Sequence, residues 1–200
     1  PILERYGMVT NLDKFIWESV CRWSRSCLER GLPLIPVSVN VSQVDIFTLN
    51  VTDHFCALLE RYGLPRSTVK IEITESACGE DSQKVRDTVQ QLREQGFVVL
   101  MDDFGSGYSS LNMLHELNID IIKLDAYFLH LDNTSDKKGM RILESIVNMA
   151  KTLTLPIIVE GVETESQKAY LMSLGCRYMQ GYFFHKPMPV GAFEALISHP

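Results

Sequence analysis

The sequence has no CxxC pair, no histidine–cysteine cluster at zinc-ligand spacing and no apolar run near the ~18 to 20 residues that cross a bilayer. No signal peptide is recognisable, so a cytoplasmic setting is expected, with no membrane contact by this segment. Basic residues are in deficit: 19 Lys and Arg against 25 Asp and Glu give a net charge of −6 and a pI near 5.4. That balance argues against a DNA or RNA polymer or an anionic membrane surface as partner. An acidic chain that handles phosphate needs metal ions or a few well-placed cations. The five cysteines (Cys21, Cys27, Cys56, Cys78, Cys176) are odd in number and mostly sit among apolar residues, as buried thiols do in a reducing compartment. Linkers rich in Pro, Ser or Gly are absent, so the 200 residues read as one domain.

Several nucleotide and metal motifs are incomplete. Asp103-Phe104-Gly105 has the letters of the kinase metal motif without its companion elements. Gly105-Ser106-Gly107 lacks the Gly-Lys-Ser/Thr of a phosphate loop, and His115-Glu116 has no second histidine four residues on. The methionines at 140, 149, 172, 179 and 188 read as core packing.

What is present is a regular alternation of helical periodicity and short apolar runs. The spacing predicts helices over about 12–30, 44–62, 82–95, 110–116, 138–153 and 165–174. Between them lie strands near 36–41, 69–74, 97–102, 119–124, 156–160 and 178–182. Gly31-Leu32-Pro33 and Gly63-Leu64-Pro65 repeat a helix-ending phrase, and Gly96 keeps its glycine. Such alternation implies parallel strands joined by crossover helices, either a (β/α) barrel or an open doubly wound sheet.

Polar residues fall at or near the C-terminal ends of all six strands: Asn40, Glu72, Asp102 with Asp103, Lys123, Glu160 and Gln180. In a barrel those ends converge on one face, whereas in an open sheet they spread along an edge, so the distribution favours the barrel. Carboxylate and amide oxygens are hard ligands suited to Mg²⁺ or Mn²⁺, and adjacent aspartates facing further carboxylates suit a pair of ions. Lys123 is the one cation among them, able to neutralise developing charge or orient an attacking water. Each residue has a plain alternative: a strand-end hydrogen bond for Asn40, a solvated strand face for Glu72, a turn cap for Asp102-Asp103, an ordinary ion pair for Lys123, a surface position for Glu160. Their joint placement is what points to a shared site.

Six ordered segments resemble the signature motifs of the EAL family of cyclic di-GMP phosphodiesterases. They are 37–42 (VSVNVS), 72–76 (EITES), 102–110 (DDFGSGYSS), 122–125 (IKLD), 160–164 (EGVET) and 180–182 (QGY). The resemblance implies a TIM-like barrel that hydrolyses cyclic di-GMP to linear pGpG with Mg²⁺ or Mn²⁺, two ions in all. By the same resemblance Asn40, Glu72, Asp102 and Asp103 are metal ligands, Lys123 meets the water or the phosphate, and Glu160 is the general base or a ligand of the second ion. Glu75 steadies the loop from Phe104 to Ser110, and Asp125, Glu163 and Gln180 line or support the substrate pocket. A homodimer and fused or upstream regulatory domains are further implications. The family's Glu-Ala-Leu segment is expected ahead of Pro1-Ile2-Leu3-Glu4, so the chain reads as an N-terminally truncated domain over 1–200, a barrel lacking about its first two strands. The alternative is a catalytically inactive receptor for cyclic di-GMP, or a protein-interaction module.

Overall fold

The computed structural model describes residues 7–74, 82–105, 110–129 and 137–198. The first helix, α1 (Val9–Glu29), buries Trp17, Cys21, Ser24 and Cys27, a spacing that marks one helical face. It leads to β1 (Val37–Asn40). The single helix expected over 44–62 is two: α2 (Gln43–Thr48) and α3 (Val51–Tyr62). Local chemistry makes the break. Ser42 and Asp45 form a reciprocal cap on α2, Leu49 is extended, and the Asn50 side chain accepts the Asp53 amide to start α3. Gly63 ends α3 at φ 60°, a left-handed conformation that a residue with a Cβ adopts only under strain.

The remaining units follow in strict alternation: β2 (Val69–Thr74), α4 (Ser82–Glu94), β3 (Val98–Phe104), α5 (Ser110–Glu116), β4 (Ile121–Leu124), α6 (Lys137–Thr152), β5 (Ile157–Val159), α7 (Glu165–Ser173) and β6 (Tyr178–Met179). A last helix, α8 (Val190–Ser198), was not evident in the periodicity. Its apolar residues are not confined to one stripe, and none of its residues is buried. Among the described residues no helix is long and apolar enough to cross a membrane.

The six strands form one sheet in sequence order, β1-β2-β3-β4-β5-β6, with every neighbouring pair parallel. Right-handed crossovers wound in a constant direction give this order, and they put the helices on one side. Alternation along the strands then divides the residues. Val39, Ile71, Ile73, Val99, Met101, Ile122, Leu124, Ile157 and Val159 are buried in the core with Phe55, Leu59 and Leu92 of the helices. Each such aliphatic side chain removed from water contributes roughly 2 kcal/mol before conformational entropy is set against it. The other face carries Ser38, Glu72, Lys123, Ile158 and Gln180, which line a single cavity of about 610 Å³ together with α8 and α1. Residues of β1 and Gln180, directly after β6, bound that one cavity, so the sheet curls on itself as a barrel wall does. The barrel expectation is met over these six strands.

Four cysteines are free thiols, Cys21, Cys27 and Cys176 buried and Cys56 half-buried. Burial pushes the Cys21 thiol up to about 11, with nearby Glu18 adding to it, so it packs as an apolar group. Cys78 lies outside the described residues.

Candidate active site

Register places the site. Asn40 pairs with Glu72 across β1 and β2, and Thr74 pairs with Asp102 across β2 and β3. Side chains at matched positions of parallel neighbours share a face, so Asn40, Glu72 and Asp102 all belong to the cavity side near the strands' C-terminal ends. The Trp17 indole donates to the Asn40 carbonyl oxygen at 2.9 Å, tying that strand end to α1. The Asn40 side chain is exposed.

Lys123 of β4 is the hub. Its Nζ lies 3.0 Å from Glu72 Oε2, 2.8 Å from Asp102 Oδ1 and 2.8 Å from Glu160 Oε1. One ammonium thus meets three carboxylates delivered by three different elements. Burial alone would lower the lysine's pKa, but the hydrogen bonds it donates to Asp102, Glu160 and Glu72 outweigh it and hold the group above its ordinary range. Lys123 is therefore held in its charged form by the three carboxylates. Glu72, 7% exposed, is no solvated strand residue, and unpaired burial of its charge would be costly.

Asp103 needs a different device. Strict alternation would turn it away from Asp102 and into the helical layer. Its φ of 56° is left-handed, and the β3–β4 register shifts between Met101 and Phe104. This irregularity, with the extra residue a bulge inserts, lets Asp102 and Asp103 serve the same side while Phe104 returns to the core at 2% exposure. Burial raises the Asp103 carboxyl above its usual value, and the charges of Asp102 and Asp125 raise it further. Burial likewise raises Glu160, opposed by Lys123 and reinforced by Asp102 and Glu72. Gln180 donates to Glu160 Oε1 at 2.6 Å and fixes its orientation.

Oxygens of Asp102, Asp103 and Glu160 lie within 4.8 Å of one another, a cluster that could hold a metal ion. The donor set fits a hard divalent cation: it is all oxygen, it is partly desolvated, and with one lysine for Glu72, Asp102, Asp103 and Glu160 it is short of positive charge.

Other residues singled out by sequence fall around this centre. Asp125 follows β4, accepts the Tyr127 amide at 2.6 Å and lines a second cavity of about 640 Å³ with Glu160, Glu163 and Gln180. Glu163 is exposed there. Glu75 and residues 106–109 of the glycine-containing loop lie outside the described residues. Reading the sequence missed Trp17 and the turn 183–188, which adds His185, Lys186 and Met188 to the 640 Å³ cavity beside Tyr182. The signal for the turn was its position directly after the polar end of β6.

Comparison with known proteins agrees with this fold. The chain is 34% identical over 196 residues to the cyclic di-GMP phosphodiesterase NbdA of Pseudomonas aeruginosa, covering 98% of this chain and 25% of that protein. It is 31% identical over 192 residues to the probable cyclic di-GMP phosphodiesterase PdeA of Escherichia coli, covering 95% of this chain and 26% of the relative. The chain thus spans about a quarter of the length of these curated relatives. Among solved structures, a PaMucR phosphodiesterase in complex with c-di-GMP superposes with a TM-score of 0.86 at 32% identity, covering 96% of this chain and 84% of that one. The EAL domain of Mycobacterium smegmatis DcpA gives 0.86 at 30% identity, covering 94% and 84%. The EAL domain matches residues 1–187, and with the curled parallel sheet and the strand-end carboxylates already in place, this chain belongs to the EAL domain family.

Proposed function

We propose that this chain is the catalytic portion of a phosphodiesterase that opens cyclic di-GMP to linear pGpG, using Mg²⁺ or Mn²⁺. The observation that carries the reading is the Lys123 ammonium seated among Glu72, Asp102 and Glu160, with Asp103 turned into the same cluster by a left-handed backbone. Two ions held by Asn40, Glu72, Asp102 and Asp103 would supply Lewis-acid activation of water and neutralise phosphate charge.

The chain's own groups supply the rest. Lys123 keeps the three carboxylates fixed relative to one another and offers permanent positive charge toward a phosphate at the strand ends. Glu160, its carboxyl raised by burial, accepts a proton from the attacking water, and a raised carboxylate is a better base near neutral pH. Gln180 holds Glu160 Oε1, leaving its second oxygen for that proton. In-line attack at phosphorus then breaks the bond to the ribose 3′ oxygen, which takes up a proton from solvent water and leaves as the hydroxyl of the linear product. Asp125 and Glu163 face the nucleotide from the adjoining cavity. The reading includes a cytoplasmic setting, a homodimer, and regulation through further domains, in keeping with the greater length of the relatives.

The test is a nucleotide turnover assay with Mg²⁺ or Mn²⁺, with EDTA as control. Conversion to pGpG that stops on chelation and is lost in Glu160→Ala is expected. Undiminished turnover in Glu160→Ala would remove that residue from the mechanism, and persistence in EDTA would sink the metal dependence.

A further inference from the structure

The 640 Å³ cavity beside Glu160 is acidic on the side of Asp125, Glu160 and Glu163, yet it also contains a lysine. Charge alone would draw Lys186 onto one of those carboxylates. Among the described residues no ion pair involves Lys186; its Nζ lies instead 5.4 Å from the centroid of the Tyr182 ring. A ring face positions a cation without neutralising it, so the ammonium keeps its full charge for an anion.

The backbone carrying Lys186 is clamped to the segment carrying Glu160. The Val162 amide donates to the Gln180 carbonyl at 3.1 Å, and the Phe183 amide donates to the Val162 carbonyl at 2.9 Å. The His185 amide donates back to the Gly181 carbonyl at 3.2 Å. Gly181 has φ 156°, and a Cβ there would lie 2.2 Å from the Val162 carbonyl oxygen, so only glycine permits this approach. The turn therefore holds Lys186 and its neighbour His185 at the cavity wall before any ligand arrives.

A cyclic dinucleotide carries two phosphodiester anions, and the strand-end cluster can serve only the one that is cut. The other must be placed in a chain whose net charge is −6. We propose that Lys186 binds the phosphate that is not cleaved, with the His185 ring as an auxiliary donor, making this turn the element that selects a cyclic dinucleotide over a ligand with a single phosphate. A lysine suits the task because it meets phosphate as a compact point charge. The inference rests on the cyclic di-GMP reading above.

The experiment measures equilibrium binding of cyclic di-GMP, and of 3′,5′-cyclic GMP as the single-phosphate probe, in EDTA at two salt concentrations. Wild type is compared with Lys186→Ala and Lys186→Arg. Lys186→Ala is expected to weaken cyclic di-GMP about tenfold and cyclic GMP less than twofold, with a flatter salt dependence than wild type, while Lys186→Arg stays within about threefold of wild type. Equal losses on both ligands, no loss on cyclic di-GMP, or no rescue by arginine would each overturn the assignment. Wild type that binds cyclic di-GMP but never hydrolyses it would overturn the enzyme reading alone, because the Lys186 effect is read from affinity. Wild type that does not bind cyclic di-GMP overturns both.

Discussion

The two ends of the barrel wall both carry clusters of charge, and they are built differently. At the N-terminal ends of β3 and β4, Arg93 pairs with Asp120 at 2.9 Å and Arg86 with Glu116 at 2.5 Å, around a cavity of about 710 Å³. All four side chains keep between a quarter and a half of their exposure. Asp120 also accepts the Val99 amide at 2.8 Å, so it serves the backbone. At the C-terminal ends a single lysine, 8% exposed in its side chain, answers for three carboxylates, and a fourth is turned toward them. Balanced, solvated pairs hold a fold together; a desolvated excess of one sign is kept for something that must still arrive.

The largest expected contrast lies in turnover. Asp102→Asn should reduce cyclic di-GMP hydrolysis roughly a hundred- to a thousand-fold, and a rate near wild type in steady-state kinetics would place the chemistry elsewhere. The next concerns stability without added ions. Lys123→Met leaves three clustered carboxylates without their cation and should cost about 3 kcal/mol in denaturant melts, partly regained on adding Mn²⁺. A melt insensitive to both changes would show the cluster to be solvated and unconstrained. At the opposite end, Asp120→Ala should cost only about 1 kcal/mol and leave turnover untouched. A large loss of rate there would erase the distinction between the two ends.

The smallest effect belongs to Asp13 of α1. Burial pushes its carboxyl up to about 6, with a hydrogen bond to Asp45 and that residue's charge adding to the shift. Asp45 is fully buried and its Oδ1 has no hydrogen-bond partner among the described residues, so a proton on Asp13 would offer it a donor. A carboxyl bound to its proton more tightly when folded contributes stability that is complete below about pH 4 and fades as pH rises through about 6. Subtracting the Asp13→Asn profile from wild type should isolate that slope. With solvent screening the variant should gain no more than about 1 kcal/mol at pH 7. Parallel profiles would remove Asp13 from the pH response.

Much of this was legible because it is local. Gly31, Gly63 and Gly96 all take the positive φ expected at the ends of their helices. All six expected strands form, within a few residues of the limits that the apolar runs predicted. The single helix expected over 44–62 is two because the apolar spacing runs on across Leu49-Asn50, while the extended Leu49 ends the helix that Ser42 starts and the Asn50 cap begins the next. Periodicity also gave no warning of α8, whose Glu194 accepts the Trp23 indole at 2.9 Å and pairs with Arg30. Those contacts lie more than 160 positions apart in sequence.

By itself the sequence determined the alternation of strands and helices, the parallel sheet, and the presence of an acidic or amide group at one strand end after another. Hydrophobic period, helix caps and turn residues act over a few positions and can be read in order. The tertiary structure alone decided that Lys123 would reach three of those groups at once, that Asp103 would turn against its alternation, and that Lys186 would stand beside carboxylates without pairing with one. Those outcomes depend on register between strands, on one bulge and on a glycine packed against distant backbone, and none of these has a signature within its own stretch of chain.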